Sequence, residues 1–242
     1  MECILSGTIS VKAALEEHKR PLQELIVNPK KRTKEISYII ALAKKQGIPV
    51  SFSTKEEMQY LAANNGGVLL RVEGNESLPL LTSDHRLEGL CVYVSGVEDP
   101  YNLGSIARTL YAAGANLMIV QQRDWSNALP ILMRASAGAW ERLDIVAISQ
   151  DEQLIEVAQI QNRPIVCAAR DDSAKPLFDV QLEKDLLLAI GGAMRGLSSR
   201  LLSASQDHLY IPYGRNFRNA LDSVSAAAVF AFAWTATYAQ EA

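Results

Sequence analysis

From residue 90 to residue 214 the chain repeats one pattern: LCVYVSGV, NLMIVQQ, LDIVAIS, PIVCAAR, DLLLAIGG and HLYIPYG are short apolar runs. Helical segments fall near 103–114, 151–160 and 197–203, with a longer one at 219–239. Continuous rather than alternating apolarity means strands buried on both faces, which is the habit of a mostly parallel sheet covered by helices. The fold class is therefore α/β, and ligands of such sheets sit at the carboxyl ends of the strands.

The first part follows a shorter version of the same rhythm. ISVKAALEE, EISYIIALAKKQ and KEEMQYLAA have helical spacing, the second with apolar residues at 36, 39, 40 and 43, while ELIVN, PVSFS and GVLLRVE are strand-like. Between the parts, GNESLPLLTSDHRLEG at 74–89 breaks the apolar pattern with Gly, Asn, Ser, Pro and charge. This predicts a small N-terminal α/β domain over 1–80 and a larger domain over 86–242.

With 48% apolar residues in 242, the chain suits one large or two small domains with well-buried cores. Residues 1–84 hold 11 Lys and Arg against 10 Asp and Glu, and 85–242 hold 13 against 17, so charge alone does not announce a polyanion binder. The cations are segregated by type: Lys30, Lys31, Arg32 and Lys34 gather early, whereas the second part relies on Arg, the residue suited to bidentate phosphate contacts. Cys3, Cys91 and Cys167 form no C-x-x-C pair and read as reduced core thiols rather than a disulfide framework or metal site. The N-terminus lacks a signal pattern, and the apolar run at 223–234 is shorter than the about 20 residues a membrane span needs, so a cytoplasmic protein is expected.

Three loops follow strands and carry polar or glycine-rich sequence: 97–108, 191–198 and 211–221. In the first, Asn102 is placed to cap a helix, Gly104 to admit a ligand at its first turn, and Arg108 about 9 Å further along the axis with its side chain leaning back. In the second, Gly191, Gly192 and Gly196 let backbone approach a ligand, without the spacing of a P-loop or a dinucleotide fingerprint. The third, YGRNFRN at 213–219, is polar and aromatic.

In order, these loops resemble the three motifs of the SpoU (TrmH) class of the SPOUT superfamily. Asn102, Gly104 and Arg108 match N-x-G-x-x-x-R, with the family-like RASAGAW at 134–140; IGGAMRGLS and YIPYGRNFRNALDSVSAAA match the second and third. The resemblance covers the whole chain. It implies transfer of a methyl group from S-adenosylmethionine to a ribose 2'-hydroxyl in RNA, ribosomal RNA more than transfer RNA, and a parallel sheet tied in a trefoil knot. Residues 5–72 look like the small substrate-binding domain found in ribosomal RNA enzymes of this class.

By the same resemblance, Asn102 and Arg108 are catalytic, and Gly191, Gly192, Gly196, Ile211, Pro212 and Leu221 form the cofactor pocket. Arg134, Arg215, Arg218, Lys30, Lys31 and Arg32 are the expected RNA contacts, and no metal is expected. A guanidinium is a poor base, so Arg108 is read as a clamp on a phosphate and the developing alkoxide. The last helix is apolar around most of its circumference and by itself reads as a core helix; the resemblance implies that part of it packs against a second subunit in a homodimer. Two departures from the family pattern are Ala193 in place of Glu and Ala220, Leu221, Asp222 in place of Ser-Leu-Asn, after a loop one residue longer. Arg215 or Arg218 would then offset the charge of Asp222. These departures keep a second reading open, an RNA-binding protein of the same fold without transferase activity.

Overall fold

The structure is a computed structural model that describes residues 2–74, 77–192 and 194–238; the departure at Ala193 lies outside the described residues. In chain order the first elements are β1 (Glu2–Ser6), α1 (Thr8–Glu17), β2 (Leu22–Val27), α2 (Lys34–Lys45), β3 (Val50–Phe52), α3 (Lys55–Leu61) and β4 (Val68–Glu73). Next come β5 (Leu90–Ser95), α4 (Pro100–Ala112), β6 (Leu117–Gln121), α5 (Leu129–Ala135) and α6 (Ala139–Arg142). The remainder is β7 (Asp144–Ile148), α7 (Asp151–Ile160), β8 (Ile165–Ala168), β9 (Lys175–Pro176), β10 (Leu186–Gly191), α8 (Ser199–Ala204), β11 (Asp207–Tyr210) and α9 (Ser223–Tyr238).

These elements form two compact units. One comprises Met1–Ser77 with Asp124–Arg142, the other Leu78–Arg123 with Leu143–Ala242. The segment 124–142 therefore packs with the N-terminal part of the chain, although the apolar pattern places it in the middle of the second domain.

In the first unit the sheet order is β1-β4-β2-β3, antiparallel except for the β2–β3 pair. Its helices start where their sequences say they should. Thr33 accepts the Ile36 N–H at the head of α2, whose first turn carries Glu35 and whose last turn carries Lys44 and Lys45, matching the helix dipole. Thr54 and Glu57 form a reciprocal capping box on α3. The segment 124–142 is fastened by Ser10 Oγ donating to the Met133 carbonyl at 3.2 Å and Cys3 Sγ donating to the Ser126 carbonyl at 3.3 Å.

The second unit holds a seven-stranded, wholly parallel sheet in the order β7-β6-β5-β10-β8-β11-β9. All six strands of the sequence reading are present, and the short β9 is added at the edge. β10 enters last among the central strands yet lies between β5 and β8, where every residue from Leu186 to Ile190 is buried. α4 packs against α9. Cys91 and Cys167 are buried in this core, and burial pushes their thiols up to about 12 and about 11, so both stay protonated. Among the described residues no helix is long and apolar enough to cross a membrane.

Candidate active site

The carboxyl ends of β5, β6 and β10 open onto one cavity of about 530 Å³ within the second unit. Its walls are the loop from Ser95 to Asp99, Gly192 with the stretch from Met194 to Ser198, Asp151 at the start of α7, and Asp222–Ser223 at the start of α9. This is the position that parallel-sheet topology reserves for ligands.

The first loop differs in detail from its sequence reading. Asp99, not Asn102, caps α4: its Oδ1 accepts the Asn102 N–H at 2.8 Å, and Pro100 follows in the first turn. Proline there has no N–H to satisfy and a φ already suited to the helix. Asn102 is thereby placed one turn into α4, exposed and lining the cavity. Gly104 is buried along with Leu103, Ile106, Ala107 and Leu110, so it serves helix packing rather than ligand access. Arg108 is exposed, makes no ion pair among the described residues, and is absent from the cavity wall. Six residues along a helix amount to about 600° of rotation, so Arg108 points roughly 120° away from Asn102.

In the second loop the glycines are required by the chain itself. A Cβ at Gly191 would lie 2.5 Å from the Gly196 carbonyl carbon and 2.7 Å from the Leu197 nitrogen, and one at Gly192 would lie 2.7 Å from the Gly96 oxygen. Gly196 and Leu197 thus lie back against the strand end, and the body approaching Gly191 is backbone of the same chain. Gly192 and Gly196 line the cavity; Gly191 accepts the Ser223 hydroxyl at 3.2 Å, tying the head of α9 to the end of β10.

In the third loop, Ile211, Pro212 and Leu221 lie outside the cavity wall. Their segment is closed on itself: the Leu221 N–H donates to the Tyr213 hydroxyl at 3.1 Å. Arg170 stacks its guanidinium 4.9 Å from the centre of the Tyr213 ring and donates to the Phe217 carbonyl at 3.1 Å. Arg215 and Arg218 are exposed. Neither offsets Asp222, which instead accepts the Ser225 amide at 2.9 Å and hydroxyl at 2.7 Å; those two donors hold its carboxyl below the ordinary carboxylate range.

Pattern reading missed a polar network on the cavity floor. Asp151 accepts the Tyr93 hydroxyl at 2.8 Å and the Ser198 hydroxyl at 2.5 Å, while Ser198 Oγ accepts the Leu201 N–H and caps α8. Burial keeps the Tyr93 phenol protonated and so able to donate. The available signal was positional, since Asp151 opens the helix directly after β7, at a strand's carboxyl end. Glu98, Asp99, Asp151 and Asp222 place four carboxylates on the cavity wall with the guanidinium of Arg195, and Glu98 is paired at 3.6 Å with Arg123.

The expected RNA contacts Lys30, Lys31, Arg32 and Arg134 all belong to the first unit. All four are exposed, and Arg134 Nη2 donates to the Ser6 hydroxyl at 2.6 Å.

Comparison with known proteins places this architecture. Residues 89–232 match the SpoU rRNA Methylase family, and residues 4–78 match the family described as RNA 2'-O ribose methyltransferase substrate binding. The 23S rRNA (guanosine-2'-O-)-methyltransferase RlmB of Pseudomonas putida is 24% identical over 197 residues, 79% of each chain. The AdoMet-bound rRNA methyltransferase from Sinorhizobium meliloti superposes with a TM-score of 0.80 at 19% identity, covering 98% of this chain and 88% of that one. The SpoU methyltransferase AviRb from Streptomyces viridochromogenes, in complex with AdoMet, gives 0.78 at 21% identity over 99% and 91%. With the catalytic-domain match spanning more than half of its length, the chain belongs to the SpoU rRNA Methylase family.

Proposed function

We propose that this chain transfers a methyl group from S-adenosylmethionine to a ribose 2'-hydroxyl of ribosomal RNA, in the cytoplasm. The observation that carries the reading is the single cavity at the carboxyl ends of β5, β6 and β10, where Asn102 of the first motif, Gly192 and Gly196 of the second, and Ser223 of the third meet. The relatives found by comparison bear the names of methyltransferases, which favours transfer over RNA binding alone.

The residues present fit the cofactor. A cavity of this volume accommodates a nucleoside with its amino-acid tail. The carboxylates of Asp99, Asp151 and Asp222 on the wall, beside Glu98 paired with Arg123, suit a ligand bearing a sulfonium cation. Gly192, Gly196 and Ser223 are assigned to hold it, with Gly191, Ile211, Pro212 and Leu221 forming the neighbouring wall by family resemblance. When bound, it supplies an electrophilic methyl group.

Asn102, exposed on the cavity wall, offers both an amide donor and an acceptor to the target ribose. Arg108 has no carboxylate partner among the described residues, and we assign it to the phosphate beside that ribose, where its fixed charge stabilises the forming alkoxide. Lys30, Lys31, Arg32, Arg134, Arg215 and Arg218 are the remaining RNA contacts. Insertion of β10 between two strands that precede it supports the trefoil threading of the family. Phe232, an apolar side chain 47% exposed on α9, supports a homodimer.

The deciding experiment incubates the purified chain with unmodified ribosomal RNA and methyl-labelled S-adenosylmethionine, then digests the RNA to nucleosides. Label in a 2'-O-methylnucleoside is expected. Label on a base, or none, overturns the reading.

A further inference from the structure

Within the first unit, residues distant in sequence converge on one end of the sheet. β2 ends at Val27, and the chain leaves through Lys30, Lys31 and Arg32. That loop has one shape because buried Asn28 accepts the Lys30 N–H through its side chain at 2.9 Å and the Lys31 N–H through its carbonyl at 3.0 Å. The Lys31 stem lies over Gly67, where a Cβ would come within 2.7 Å of Lys31 Cγ, and the Gly67 carbonyl accepts the Asn28 N–H. Arg134 arrives from the second chain segment, donating to Ser6 at the last position of β1 and to the Ala63 carbonyl at 3.4 Å.

At this same end stands Phe52, the last residue of β3, in register with Val27. β3 is an edge strand, and Phe52 is 61% exposed. Lys30, Lys31, Arg32 and Lys34 have no carboxylate partner among the described residues. Of the acids in the first turn of neighbouring α3, Glu57 is committed to the Thr54 N–H. An exposed aromatic ring at the same sheet end as cations that have no carboxylate partner among the described residues matches the chemistry of a nucleotide that has left its stack: the ring takes the base, the cations take the flanking phosphates.

We propose that this end of the first unit binds an unpaired nucleotide of the RNA substrate, with the base stacked on Phe52 and the adjacent phosphates held by Lys30, Lys31 and Arg32. The proposal rests on the reading of RNA as substrate and adds that the unit selects single-stranded rather than duplex RNA. Stacking is tolerant of sequence, so a generic probe suffices.

The test measures binding of an RNA hairpin with a single-stranded loop, and of a blunt RNA duplex of equal length, by fluorescence anisotropy over a range of salt. Phe52→Ala is expected to weaken hairpin binding about tenfold, leave duplex binding unchanged and keep the salt slope of the parent chain, with Phe52→Trp restoring affinity. Lys30→Ala with Lys31→Ala is expected to reduce the salt slope by about 1.4, at about 0.7 per phosphate contact on a single strand. Hairpin binding unaltered by Phe52→Ala, or hairpin and duplex weakened alike, overturns the stacking surface while leaving the RNA reading intact. Failure of the parent chain to bind either RNA at low salt overturns both.

Discussion

Arg20 and Glu141, 121 residues apart, form a buried ion pair: Nη2 lies 2.6 Å from Oε1, and the side chains are 8% and 0% exposed. The pair joins the two chain segments of the first unit. Glu141→Ala removes the buried carboxylate that faces the Arg20 guanidinium and is expected to cost about 3–5 kcal/mol, whereas Arg20→Met with Glu141→Leu is expected to be near neutral. Urea unfolding of the three proteins checks this. A loss below about 1 kcal/mol in Glu141→Ala would mean that the pair contributes no more than a surface bridge.

Asp151 uses both carboxylate oxygens on hydroxyl donors, Tyr93 from the sheet and Ser198 from the glycine loop. An amide at this position accepts poorly from two hydroxyls at once, so Asp151→Asn loosens the loop that lines the cavity. Its dissociation constant for S-adenosylmethionine is expected to rise about tenfold, the equivalent of about 1.4 kcal/mol. Ser198→Ala is expected to do the same, and the double variant no worse than either single. Calorimetric titration reads the affinities, and hydrogen exchange of the 196–201 amides in the free chain reads the loop. Multiplying effects would show that the two residues act independently.

Arg108 separates a charge clamp from a proton acceptor. Arg108→Ala is expected to lower kcat by about 10²–10³, as loss of an oxyanion donor does elsewhere. Arg108→Lys is expected to recover little, because an ammonium lacks the planar fork that spans two oxygens. Substantial recovery with Lys would favour a base.

The cap of α9 gives a pH dependence. The Ser225 hydroxyl and amide depress the Asp222 carboxyl in the folded state, so the unfolded chain binds the proton more tightly. This contribution is fully present above the ordinary carboxylate pKa and is lost as pH falls through the depressed folded value. Asp222→Asn is expected to flatten that acid limb of the stability curve, measured by denaturant midpoints from neutral to acidic pH.

The parallel sheet was legible because its strands are apolar on both faces and announce themselves without knowledge of their neighbours. β1 was not: it is five residues at the sheet edge, with Glu2 exposed and paired to Arg71. The helices α5 and α6 were missed because what buries Leu132, Met133 and Trp140 is the company of residues about 120 positions earlier. In the candidate site, residues of all three motifs line one cavity, whereas individual placements differ from those read in the sequence. Asp99 took the capping position that Asn102 had been given, although Asp-Pro before a helix is itself a start signal. Gly191 faces its own chain, and only the return of Gly196 and Leu197 against the strand end could reveal that. Arg170 carried no motif at all, since its partners Tyr213 and Phe217 lie on a loop more than forty residues away.

Because the first unit draws on Asp124–Arg142, it is unfinished until residue 142 has left the ribosome, by which time β5, α4 and β6 have already emerged. Synthesis order and assembly order are therefore interleaved rather than sequential. Trimming the chain at residue 80 would not yield an autonomous catalytic half; it would leave Leu132 and Met133, now 0% exposed, facing water on a surface that evolved to be covered, and an insoluble product is the natural result.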